Sequence, residues 1–203
     1  MGERNLKRLS AVLLAVVLSV ALVYPRAQSV IGQGFSFDAT KLKDTTLWTQ
    51  VNEQPHYLTS SVDLLCRIAH RNDYESERKR NPHASSYITV YVNKNGREAM
   101  FAAGAPRFPE GSVIVKEKIE KPLNPDGYNI GPRKSLEGLK PSLYTLMIKR
   151  EPGYNPAVGD WEFAVASGKD FRIEASGKLE SCQACHLEKR DQDFVFRSYL
   201  KSK

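Results

Sequence analysis

The hydrophobic pattern changes from helix-like to strand-like along the chain. Segments 37–52 and 57–70 carry apolar residues three and four positions apart, which predicts two helices. Later segments are dense in β-branched and aromatic residues, which predicts strands. These strands are Ser86–Asn93, Ser112–Ile119, Leu143–Arg150 and Trp161–Ala166. With a helix expected near the C-terminus, this order predicts an α+β fold in which an antiparallel β-sheet packs with helices.

The first 27 residues have the composition of an export signal. A basic start with Arg4, Lys7 and Arg8 precedes an uncharged apolar run from Ser10 to Tyr24. As a helix this run would span about 22 Å, short of the roughly 30 Å hydrocarbon core of a bilayer. We therefore predict a signal peptide or, if it is not cleaved, an N-terminal membrane anchor at residues 10–24. Either alternative predicts an exported, periplasmic protein.

Residues 28–203 have the usual size of one domain, and we predict a single domain there. The formal net charge of +7 is mild for a chain of this length. The densest basic cluster, Arg71–His83, is interleaved with acidic residues, which is typical of a solvated helix end or loop. No nucleic-acid partner is expected from this pattern.

The Pro- and Gly-rich stretch Pro122–Pro141 predicts a long loop at a pocket rim.

The segment "SCQACHLEK" carries the strongest chemical signal in the chain. Cys182 and Cys185 lie on one face of the expected C-terminal helix, and His186 follows directly. Thiols at this spacing can each form a thioether with a haem vinyl group, while the adjacent imidazole binds the iron. In an exported chain the C-x-x-C-H motif predicts covalently attached haem c with His186 as the iron ligand.

Two alternatives use the same residues. A redox dithiol is expected near a βαβ pattern, and no parallel crossover is visible in this sequence. A structural zinc site needs a fourth ligand with suitable spacing. The remaining cysteine and histidines make no obvious second pair: Cys66, His56, His70 and His83. Cys66 lies on a predicted apolar-striped helix, where burial is favoured, and we assign it no function.

The sequence also bears on the sixth ligand of the iron. Small electron-transfer cytochromes use a methionine that follows the haem motif, but no methionine follows His186 here. Met100 and Met147 fall in a predicted helix and a predicted strand, where they are expected to be core residues. We therefore predict five-coordinate iron with an open or transiently filled sixth position. Such iron suits small-molecule binding better than simple electron relay.

Four sequence blocks follow one another between Ser85 and Tyr199: "YITVYVN", "FPEGSVIVKE", "KREPGYNPAVGDWEF" and "CQACHLEKRDQDFVF". In this order they resemble the cytochrome P-460 and cytochrome c′-beta family. The resemblance implies a homodimeric, periplasmic haem c protein, with a cytochrome as a candidate redox partner and His186 as the proximal ligand. It also implies that Lys116, on the strand after the F-P-x-G turn, is covalently joined to a haem meso carbon.

A second argument, independent of the resemblance, concerns the face of the strand on which Lys116 lies. Strand alternation puts it on one face with Ser112 and Ile114, and puts Val113 and Val115 on the other. A lysine on the haem-facing side of a sheet is costly to bury charged, so it should become neutral and nucleophilic. The alternative is a solvated lysine on a sheet edge.

One departure from the resemblance concerns Thr145. In hydroxylamine-oxidising relatives the corresponding pocket position carries a carboxylate, which is the obvious proton acceptor. The expected lining is mostly apolar, with Ile88, Phe108 and Met147, and favours nitric oxide. Two functions therefore stay open. One is a haem enzyme that oxidises hydroxylamine with Lys116 as its catalytic residue, and the other is a non-catalytic protein that binds or senses nitric oxide.

Overall fold

The computed structural model describes residues 38–64, 69–81, 83–120, 136 and 138–200, which belong to one compact unit. Within this part of the chain the fold is a seven-stranded antiparallel sheet with three α-helices, which confirms the predicted α+β class. The strands are β1 Trp48–Gln50, β2 His56–Leu58, β3 Ser86–Asn93, β4 Val113–Glu120, β5 Leu143–Lys149, β6 Trp161–Ser167 and β7 Ile173–Gly177. The helices are α1 Arg71–Arg80, α2 Lys94–Phe101 and α3 Glu180–His186.

Several predicted features lie outside the described residues. They are the signal or anchor at residues 1–27, Cys66, and most of the loop from Pro122 to Pro141. Among the described helices, none combines the length and the apolar character that a membrane crossing requires.

The sheet order is β1-β3-β4-β5-β6-β7, and β2 pairs with the same strand as β1. The register sets Val90, Lys116, Thr145 and Val165 in one row across the four central strands. The neighbouring row contains Val92, Ile114, Met147 and Phe163, and it is part of the main core. Lys116 therefore lies one row beyond a buried apolar row, on the same face of the sheet.

The C-terminal segment covers this face. Phe194 and Val195 are 5% and 1% exposed, and they join a core cluster with Met100, Phe108 and Trp161. Burial of each large apolar side chain contributes about 1.5–3 kcal/mol, so the cluster fixes the segment against the sheet. Cys182 packs against the edge of the same cluster. The core thus places the C-x-x-C-H motif against this face of the sheet.

The prediction of helices at 37–52 and 57–70 was wrong. The described residues of those segments form two short 3₁₀ helices, Ala39–Lys43 and Val62–Leu64, and the strands β1 and β2. Both strands pair with β3, and this edge pairing outweighs a weak local helical pattern. Between the two strands the Asn52 side chain accepts a hydrogen bond from the Val90 amide at 2.7 Å and donates one to the Ile88 carbonyl at 2.8 Å.

The basic cluster after residue 70 forms a complete helix. Asp73 accepts a hydrogen bond from the His70 amide at 2.9 Å, and basic residues occupy the last turn of α1. Both features stabilise a helix by matching its dipole. The structure also adds β7, which the sequence analysis did not identify.

Candidate functional site

The C-x-x-C-H motif occupies α3, and His186 is the last residue of this helix. The ring is 5% exposed and packs between Phe163 and Phe196, with ring-centre distances of 5.2 and 5.1 Å. Its Nδ1 lies 2.6 Å from the Phe194 carbonyl oxygen. Because a carbonyl can only accept, Nδ1 carries the proton and Nε2 keeps a free lone pair. This is the tautomer of a histidine that binds metal through Nε2.

The charge state of His186 also suits a metal ligand. Burial and, to a smaller extent, the charge of the nearby Lys116 amine lower the pKa of its imidazole to about 4, while the Phe194 carbonyl opposes the shift. The ring is therefore neutral at physiological pH, as ligation requires.

Two free thiols precede the histidine on the same helix. Cys182 is half-buried and Cys185 is exposed. Burial raises the pKa of the Cys182 thiol, so it is a neutral S–H group at neutral pH. Two reduced thiols and a neutral imidazole are the donor set that covalent haem attachment needs, so these residues fit the group. In the described part of the chain, no three or more His, Cys, Asp and Glu residues are grouped to hold a metal ion.

Lys116 lies on β4, between β3 and β5, and is not on a sheet edge. Its side chain is 8% exposed, and Nζ is 5.5 Å from the centre of the Phe196 ring. The same ring packs against His186, and Lys189 Nζ also lies 5.3 Å from its centre, so Phe196 contacts both amines and the imidazole. Burial lowers the pKa of Lys116 to about 8, and the Cys182 thiol weakly opposes the shift. A substantial fraction of the amine is therefore neutral near physiological pH.

Lys118 is a second buried amine that the sequence analysis missed. It is 0% exposed, and it lies on the same face of β4 because it is two residues from Lys116. Burial, and then the charge of Lys116, lowers the pKa of Lys118 to about 7. The strand alternation that predicts the face of Lys116 predicts the same face for Lys118, so the sequence did contain a signal for this residue.

His83 lies in the turn before β3 and belongs to the same group of basic residues. Its Nδ1 is buried and has no hydrogen-bond partner among the described residues. Burial lowers the pKa of His83 well below its ordinary value, and the charges of Lys118, Lys116 and His186 lower it further. The sequence gave no signal that this histidine lies near β4.

The remaining predicted pocket residues fall in two places. Thr145 is the register partner of Lys116 on β5. Ile88, Phe108 and Met147 are 3%, 3% and 5% exposed in the core. A cavity of about 1050 Å³ lies elsewhere, lined by 51–54, 101–104 and part of the C-terminal segment, and His186 and Lys116 are not among its lining residues.

Comparison with known proteins identifies the family of this chain. A family model described as Cytochrome P460 matches residues 70–197, a range that includes β4, α3 and every site residue described above. A search of curated proteins gave no match. The matched range is well over half of the sequence. The chain belongs to the cytochrome P460 family.

Proposed function

We propose that the protein is an exported mono-haem c-type cytochrome whose five-coordinate iron binds small nitrogen oxides and oxidises hydroxylamine. The observation that carries this proposal is the buried His186 ring, whose Nδ1 is held by the Phe194 carbonyl beside two reduced thiols. The family match supports a haem cofactor. We also propose a periplasmic location, a homodimer, and a cytochrome as the acceptor of the electrons.

Cys182 and Cys185 are the proposed attachment points. Each S–H group adds across one vinyl group of haem, which forms a thioether without any external oxidant. His186 then supplies Nε2 as the proximal ligand. Bound haem supplies an iron centre for ligand binding and electron transfer.

The positions of the methionines support an open sixth position. Met100 is 0% exposed on α2 and Met147 is 5% exposed on β5, and both belong to the main core cluster. Each methionine side chain therefore packs in the core. This arrangement favours exogenous small ligands at the iron.

Lys116 is the proposed catalytic and haem-linked residue. The neutral fraction of its amine is a nucleophile. A link from Nζ to a meso carbon would replace a C–H bond with a C–N bond and would release two electrons and two protons, so its formation would need an oxidant such as hydrogen peroxide. The Phe196 ring, which contacts both Lys116 and His186, supports a position of the amine close to the haem.

Thr145 favours a second candidate function, nitric oxide binding without turnover. It faces Lys116 in the register, and Val90 and Val165 complete that row without a carboxylate. Oxidation of hydroxylamine releases protons, and a threonine is a poor acceptor for them. A row without a carboxylate suits an uncharged diatomic ligand.

The test uses protein produced with the haem-maturation machinery. Haem should remain with the polypeptide in acid-acetone, and clean release would overturn both candidates. A red-shifted ferrous Soret band that Lys116→Ala returns to the ordinary c-type position, with loss of hydroxylamine oxidation, supports the enzyme. The exposed Lys169→Ala variant is the control and should keep the wild-type spectrum. An ordinary wild-type spectrum with tight nitric oxide binding and no turnover supports the second candidate.

A further inference from the structure

The chain turns sharply after the haem motif. A 3₁₀ helix, Leu187–Gln192, follows α3, and the next two residues both have positive φ, +52° at Asp193 and +64° at Phe194. Left-handed backbone is unfavourable for a residue with a side chain, because Cβ comes close to a backbone carbonyl oxygen. Two such residues in succession persist only where their surroundings hold them.

Asp193 makes the contacts that hold this turn. It is 2% exposed, and its Oδ2 accepts hydrogen bonds from the Phe108 amide at 2.9 Å and from Lys149 Nζ at 2.7 Å. Its backbone carbonyl accepts a third hydrogen bond from Trp161 Nε1 at 2.8 Å. Arg107 adds an ion pair at 3.6 Å. These donors come from β5, β6 and the segment before β4. Asp193 therefore binds the turn to several parts of the sheet.

Gly159 allows the turn to approach the loop between β5 and β6. A Cβ atom at this position would lie 2.8 Å from the Phe194 ring and 2.9 Å from Asp193 Oδ1. Both distances are shorter than van der Waals contact, so a larger residue would push the turn away. The absence of a side chain at Gly159 is therefore part of what fixes the turn.

The turn ends in the hydrogen bond to the proposed iron ligand. Phe194, the second left-handed residue, directs its carbonyl oxygen to Nδ1 of His186 at 2.6 Å. The direction of this carbonyl depends on the backbone of Asp193 and Phe194. A strong acceptor at Nδ1 fixes the ring orientation and makes Nε2 a better electron donor.

We propose that Asp193 is a positioning residue for the proximal ligand: by holding the left-handed turn, it fixes the Phe194 carbonyl that orients and activates His186. This inference rests on the proposed role of His186 as the iron ligand. Changes to the partners of ligating histidines typically alter metal affinity or activity by about 10–100-fold.

The experiment compares Asp193→Ala with Asp193→Asn in the haem-loaded protein. Resonance Raman spectroscopy of the ferrous form measures the iron–histidine stretch, and spectroelectrochemistry measures the reduction potential. In Asp193→Ala the stretch should fall and the potential should rise, because a weaker bond at Nδ1 makes His186 a poorer donor. Asp193→Asn keeps an oxygen that can accept from the Phe108 amide, so it should restore part of both shifts.

Glu162→Gln provides the matched control. Glu162 is 8% exposed and pairs with Arg150, but it contacts neither the turn nor His186 among its described interactions. It should lower stability without moving the stretch or the potential. If Asp193→Ala behaves in the same way, Asp193 is only structural and the inference is overturned. If Asp193→Ala does not fold, Gly159→Ala disturbs the same turn and should shift the stretch in the same direction; wild-type values in that variant would also overturn the inference.

A wild-type protein without an iron–histidine band would instead contradict the proposed function. That outcome is distinct from a wild-type band that the Asp193 variants leave unchanged. The two proposals can therefore fail separately.

Discussion

The two sides of the site are built on different principles. The proximal side, formed by α3 and the turn after it, fixes His186 and Asp193 with short hydrogen bonds at 2.6–2.9 Å. The β4 side instead buries Lys116 and Lys118, at 8% and 0% exposure, so that their pKa values fall to about 8 and about 7. Hydrogen bonding fixes geometry on the first side, while burial changes reactivity on the second.

This difference matches the role proposed for each side. A ligating imidazole works best when its orientation does not vary, and a hydrogen-bonded shell provides that rigidity. An amine that reacts must be neutral, and burial among apolar side chains favours the neutral form. We therefore expect substitutions on the proximal side to lower the free energy of unfolding. Removal of a buried amine on the β4 side should not lower it, because the cost of burying a charged amine is removed as well.

The largest expected effect is at Asp193. Asp193→Ala leaves the mostly buried Lys149 amine without its partner and the Phe108 amide without its acceptor. Loss of one partner of a buried pair costs about 3–5 kcal/mol. Urea unfolding should show this decrease in the free energy of unfolding, while Lys118→Met at pH 6 should show none. A similar decrease in both variants would remove the distinction between the two sides.

The pH dependence of stability tests the β4 side. The pKa of Lys118 falls from its ordinary value of 10.5 to about 7 on folding, so between these values the unfolded chain binds more protons. Stability should therefore rise from about pH 7 to pH 10.5, by at most about 1.4 kcal/mol per pH unit from this group. In protein without the haem link, the free amine of Lys116 should contribute in the same direction above about pH 8.

Denaturant unfolding across this pH range measures the effect. Lys118→Met should be more stable than the wild type near pH 6, and the difference should shrink towards pH 10. Lys169→Met, which removes an exposed lysine, should keep the wild-type profile. An unchanged profile in Lys118→Met would show that this amine is not held in its neutral form.

The smallest expected effect is the difference in stability loss between two glycine-to-alanine variants. This difference measures how closely the proximal side is packed, apart from the cost of left-handed backbone. Gly159 and Gly104 have similar φ values, +64° and +73°, but a Cβ at Gly104 would meet nothing within 4 Å. Gly104→Ala should cost roughly 1–2 kcal/mol for the left-handed backbone alone. Gly159→Ala should cost about 1–3 kcal/mol more, because its methyl group crowds the Phe194 ring and Asp193. Equal losses in thermal unfolding would show that the turn is not closely packed.

Central strands were easier to predict from sequence than edge strands. The four predicted strands agree with β3, β4, β5 and β6 to within one residue at each end. Each has seven or eight residues, so alternation and β-branched composition are clear. At the edges, β1 and β2 have three residues each and β7 has five, too few for a pattern that local sequence distinguishes from a helix or loop.

The sequence by itself determined how the thiols and the imidazole are arranged along α3, and on which face of β4 Lys116 lies. Helical spacing and strand alternation are local properties. Only the tertiary structure placed Phe196 between Lys116 and His186, His83 near β4, and the Asp193 turn beneath the imidazole. These relations join residues that are distant in sequence or depend on left-handed backbone held by several strands. Burial, and with it the lowered pKa of Lys118, was decided at the same level, because exposure depends on what packs over a strand and not on the strand's own sequence.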